Sequence, residues 1–71
     1  MQLAIEIERE QDGRFLAEVP TLPGVMAYGR TETEAVAKVK ALALRVLAER
    51  IEHGEPLPAE VERFFLTSRA A

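Results

Sequence analysis

Glu6 and Glu8 stand on the polar side of a strictly alternating segment, and Glu18 follows in a second alternating segment. Carboxylates gathered on neighbouring strands are the hard oxygen donors that Mg²⁺ takes. The same alternation makes them the solvated half of an amphipathic hairpin, and spacing alone supplies no catalytic geometry. His53, the single histidine, falls in the last turn of a long helical pattern, where its charged form favours the helix dipole. It has no recognisable acid–base partner, so capping suits it better than catalysis. Tyr28 can hydrogen-bond a ligand, yet an aromatic in a strand usually packs. Nothing resembles a phosphate loop, a nucleophile elbow or a metal-ligand series. The chain therefore reads as non-catalytic, with no metal and no cofactor.

The size of the chain sets what must support any function. Its 71 residues form one domain, and such a domain buries only about 60% of the surface its unfolded chain exposes. With no Cys and one His, neither a disulfide nor an ordinary zinc site can supplement the core. Self-association or very close packing must do so. The composition, 48% hydrophobic and 30% charged, is that of a globular protein. No apolar run approaches the roughly 20 residues of a membrane span, and no signal-peptide pattern opens the chain, so a cytoplasmic location is expected. The net charge of −3, with Lys and Arg scattered, gives no basic patch for nucleic acid and slightly favours a basic partner.

Residues 1–10 alternate with Leu3, Ile5 and Ile7 on one face, and residues 14–19 alternate with Phe15, Ala17 and Val19. Both read as half-buried strands, joined at Gln11-Asp12-Gly13. A two-residue Asp12-Gly13 loop would set Ile7 opposite Glu18 and split the apolar sets between faces. A three-residue loop sets Ile7 opposite Ala17, which one buried face requires. The turn is therefore expected to be type I, with Gly13 left-handed in a bulge.

Pro20 and Pro23 bracket the next loop, which ends the second strand near Val19 and turns the chain stiffly. Leu22 between them either enters the core or stands out as a contact point, and Gly24 frees the chain to return as a third strand, residues 25–30. Thr31 and Glu34 form a capping box that opens a helix to about His53, stopped by Gly54. Its apolar arc covers roughly half the circumference, wider than the ~100° that one sheet face needs. Leu44 and Ile51 lie at its margins. After Glu55-Pro56-Leu57-Pro58, residues 61–67 read as a last strand, although residues 58–62 could also start a short helix.

The expected fold is α+β, β-β-β-α-β. A right-handed crossover gives sheet order 3-2-1-4, with one long helix on one face and the other face bare. The bare face and the wide arc predict a homodimer or homotetramer, with Met26, Tyr28, Leu44, Ile51 and Phe65 as candidate contacts.

Four ordered motifs carry a family resemblance across nearly the whole chain. They are Asp12-Gly13-x-Phe15, then Glu18-Val19-Pro20-x-Leu22-Pro23-Gly24-Val25, then Gly29-x-Thr31-x-x-Glu34-Ala35, and last Gly54-Glu55-Pro56-Leu57-Pro58. Together they resemble the HicB antitoxins. The resemblance implies a partial ribonuclease H-like fold and a role in masking a HicA toxin, a small basic ribonuclease. Pro20, Leu22, Pro23, Gly24 and Phe65 are the candidate partner contacts. Many HicB proteins carry a carboxy-terminal DNA-binding module, whereas only Ser68-Arg69-Ala70-Ala71 follow the last expected strand here. The reading from another class is a stand-alone structural or small-ligand-binding module without a toxin.

Overall fold

A computed structural model describes residues 2–70. Strands β1 (Glu6–Arg9), β2 (Phe15–Glu18) and β3 (Met26–Gly29) precede helix α1 (Glu32–Glu52) and a short helix α2 (Ala59–Glu62). The strands make one antiparallel sheet in the order β1-β2-β3.

The first hairpin has the expected register, with Ile7 opposite Ala17. Glu10 N–H donates to Arg14 O at 2.7 Å and Gly13 N–H donates to Glu10 O at 3.0 Å, leaving a three-residue loop. Gly13 has φ +91°, and Asp12 Oδ1 accepts from Arg14 N–H at 3.0 Å, which closes the turn locally. A Cβ added at Gly13 would meet no atom within 4 Å, so a substitution there is penalised by backbone conformation alone. Gly13→Val is expected to lose about 1–2 kcal/mol in urea unfolding, and Gly13→Asn less, since Asn tolerates the left-handed region.

The proline loop is held by three backbone bonds: Val19 N–H to Val25 O, Leu22 N–H to Val19 O, and Val25 N–H to Leu22 O, at 3.0, 2.9 and 3.0 Å. These aim Leu22 inward, where it is 0% exposed. Of the two alternatives for Leu22, the structure takes the core, because burying the side chain satisfies the apolar group and leaves Pro20, Pro23 and Gly24 outside.

At the far end of β3, Gly29 is buried under the start of α1. A Cβ there would collide with the Ala35 backbone nitrogen and lie 2.9 Å from Ala35 Cα, so the strand and the helix meet only because residue 29 has no side chain. The capping box forms in a shifted version. Thr31 Oγ1 accepts from Glu34 N–H at 3.1 Å, while Glu34 Oε1 accepts from Arg30 N–H at 3.2 Å rather than from Thr31. The helix ends as expected at Gly54, φ +67°. Gly54 N–H reaches Ile51 O and Glu55 N–H reaches Arg50 O, the paired bonds of a Schellman motif. Ala35, Val39, Ala43 and Leu47, four residues apart in each step, form the buried stripe of α1. They pack on Ala17, Val19, Leu22 and Val25, with Val61 joining from α2.

The expected fourth strand over residues 61–67 does not form. Residues 59–62 are helical instead, and residues 63–70 carry no regular structure. Ala59, Glu60 and Glu62 suit a helical turn, Pro58 cannot donate to a ladder, and one turn is enough to bury Val61. The supported architecture is thus α+β, with a three-stranded antiparallel sheet and one long helix. The first strand is also shorter than residues 1–10. Leu3 and Ile5 still pack against the core without joining the ladder, and Met1 lies outside the described residues.

Candidate interaction surfaces

Alternation along β1, β2 and β3 sends Phe15, Ala17 and Ala27 toward α1 and turns Glu6, Glu8, Leu16, Glu18, Met26 and Tyr28 to the bare side. The register places Glu6 directly opposite Glu18, and Glu8 opposite Leu16. Like charges facing each other across strands are unfavourable. Neither ion pair among the described residues, Arg14–Asp12 and Lys38–Glu34, neutralises them. Beside the carboxylates, Met26 and Tyr28 are 43% and 41% exposed. The bare face is therefore an acidic strip against an apolar one. Its carboxylates do not converge as metal ligands: among the described residues no three acidic, His or Cys side chains are placed to hold one ion.

One end of this face is fixed by a charged cluster. The Arg14 guanidinium lies 4.3 Å from the Tyr28 ring centroid, and Arg14 Nε donates to Asp12 Oδ2 at 2.7 Å. Tyr28 Oη also donates to Glu10 Oε1 at 3.4 Å, so Tyr28 is a platform under Arg14 rather than a free hydrogen-bonding group. The Arg14 amide, and then its side chain, hold the Asp12 carboxyl below its usual value of 3.8. The Arg30 amide and the Lys38 ammonium likewise hold Glu34 below 4.5.

Both shifts stabilise the fold above the unfolded carboxylate values, and that stability is lost as acid titrates the groups through their lowered folded values. Stability is expected to fall below this range, and Asp12→Asn and Glu34→Gln should each flatten the acid limb of urea-unfolding midpoints plotted against pH.

A second surface lies on the helix side. Leu44 and Ile51 are 69% and 49% exposed, and with Leu3, Leu47, Ala48, Val61, Phe64 and Phe65 they line an apolar groove of ≈ 390 Å³. Of the five residues expected at a self-contact, Leu44, Ile51 and Phe65 come together here, whereas Met26 and Tyr28 sit on the bare sheet face. The partner-contact candidates also separate. Pro20, Pro23 and Gly24 are exposed in one loop, Leu22 is buried beneath it, and Phe65 belongs to the tail. Leu3 was expected on the buried face of the first strand, and Phe64 and Leu66 were not among the contact candidates, since residues 61–67 read as a strand. The exposed pair Phe64-Phe65 ahead of Leu66 was the available signal.

His53 serves the helix end. Its Nδ1 donates to Glu49 O at 2.8 Å, since a carbonyl oxygen can only accept.

No family model matches the chain, and no solved structure matches it. Two curated relatives do. A UPF0150 protein of Thermoplasma acidophilum is 33% identical over 61 residues, 84% of this chain and 87% of the relative. A UPF0150 protein of Archaeoglobus fulgidus is 33% identical over 63 residues, 86% of this chain and 91% of the relative. At that identity and coverage, the chain belongs to the UPF0150 family.

Proposed function

We propose that this chain is a HicB-like antitoxin, a non-catalytic module that binds and masks a small basic toxin ribonuclease. The observation that carries the reading is the bare sheet face, where Glu6, Glu8 and Glu18 lie unneutralised beside Leu16, Met26 and Tyr28. A basic protein surface would relieve the Glu6–Glu18 repulsion and cover the apolar strip in one contact. The four sequence motifs point the same way, and the α+β arrangement accommodates the partial ribonuclease H-like fold that the resemblance implies. The outward edge of β3 adds backbone donors and acceptors for strand pairing. Val19 N–H bonds Val25 O, so by antiparallel alternation Met26 and Tyr28 turn their own N–H and C=O groups outward.

The test is RNA cleavage by a HicA-like toxin, a small basic ribonuclease, in the presence of this chain. An equimolar amount of this chain should abolish cleavage, while the chain alone with Mg²⁺ should leave RNA intact. Undiminished cleavage at excess would contradict the masking role and leave a stand-alone module. RNA cleavage by this chain itself, lost in a Glu6→Ala/Glu8→Ala variant, would contradict a purely binding function.

A further inference from the structure

The helix-side groove and the carboxy-terminal tail are complementary, and neither is satisfied within one chain. The groove continues toward the amino terminus as a second hollow of ≈ 250 Å³, lined by Leu3, Ile5, Val19, Lys40, Ala43, Leu44 and Leu47. Leu3, Leu44 and Leu47 are common to both hollows, so they form one apolar channel between α1 and the amino-terminal segment. One border of the sheet beside that segment is an unpaired strand edge. Glu10 N–H bonds Arg14 O, so Glu8 and Glu6 face β2 while Ile7 and Arg9 turn their backbone groups outward.

The tail offers what this channel lacks. Phe64, Phe65 and Leu66 are 66%, 59% and 96% exposed, three large apolar side chains in succession. Phe64 and Phe65 form part of the groove's own lining yet stay more than half exposed, and Leu66 is outside it. The last turn of α2 continues through Phe64 N–H to Val61 O and Phe65 N–H to Glu62 O, and beyond Phe65 no backbone N–H is bonded among the described residues. The molecule measures 57 × 21 × 16 Å, far longer than the ~32 Å of α1 with its 21 residues. Leu66, almost fully exposed, makes hardly any contact with its own chain.

We infer that the occupant of the channel is the tail of a second copy, exchanged symmetrically so that residues 63–67 of each chain lie along the other's β1 edge and over its Leu3, Ile5, Leu44 and Leu47. Exchange of an identical element closes under two-fold symmetry and is an inexpensive route to a dimer. Each aromatic carries about 150–250 Å². Two tails and two channels together therefore bury on the order of 1,500 Å², the size of a stable interface. The exchange also supplies the supplement that a Cys-free domain of this size needs. It does not depend on toxin masking, which uses the opposite face of the sheet.

The test joins mass and proximity. Light scattering at micromolar concentration should give twice the 7.9 kDa chain mass, and Leu66→Asp should give a folded monomer by circular dichroism. In an equal mixture of isotope-labelled and unlabelled chains, p-benzoylphenylalanine in place of Leu66 should photocrosslink to residues 3–9 of the other chain. A monomeric parent, crosslinks confined to one chain, or a dimer with no crosslink to residues 3–9 would overturn the exchange. If Leu66→Asp fails to fold, the crosslink decides alone.

Discussion

Gly29→Val is expected to be the most damaging single substitution in this chain. The cause is a backbone collision, not a lost contact. The new Cβ would overlap the Ala35 nitrogen and press on Ala35 Cα and the Glu34 carbonyl carbon, the latter at 3.0 Å. Overpacking against side chains costs about 1–3 kcal/mol, and backbone atoms at a capped helix start cannot swing aside as a side-chain end can. A loss at the upper end, about 3 kcal/mol, is a large part of the roughly 5 kcal/mol at the low end of domain stabilities. In a domain of this size it should lower Tm by more than about 10 °C. Placing the same change in an Ala35→Gly background should rescue little, because the obstructing atoms are main chain. Full rescue there would show that the Ala35 methyl, and not the backbone, sets the close approach.

The second large effect is expected from the double reversal Glu6→Lys/Glu18→Lys. Both side chains sit on the bare face in a directly opposed pair, and no ion pair among the described residues holds either one. Reversal keeps the like-charge repulsion at the same strength, so fold stability should change little. Toward a basic partner it converts attraction into repulsion, and the inhibition constant for toxin cleavage should rise by about tenfold or more at low salt. The parent's affinity should itself weaken as salt rises, and that salt dependence should vanish or invert in the variant. Equal inhibition by parent and variant would remove the acidic strip from the interface.

The parts of this fold legible in the sequence are those fixed over a few residues. The three-residue hairpin loop followed from matching Ile7 to Ala17, because only one register puts both apolar sets on one face, although Ile7 itself stays exposed. Thr31, Glu34 and Gly54 marked the ends of α1 through local capping chemistry, although Glu34 chose the Arg30 amide over that of Thr31. The fate of Leu22 was not legible: two prolines fix where the chain turns, not which side of the loop faces the core. Residues 61–67 misled for a different reason. Their apolar content suits a strand, but Pro58 followed by Ala and Glu suits a helical turn, and the burial of Val61 decided between them. The acidic strip lay between these extremes. Alternation placed Glu6 and Glu8 on one face, while their relation to Glu18, Met26 and Tyr28 required the register of both strand pairs.

That strip is also where the central claim is most directly exposed to test. Methyl and amide signals of this chain can be followed by NMR while a HicA-like toxin is added to one equivalent. Masking through the bare sheet face predicts saturating shifts at Leu16, Met26 and Tyr28, with the buried stripe Val39, Ala43 and Leu47 of α1 little changed. Spectra unaltered at one equivalent, or shifts confined to the outer surface of α1, would contradict it.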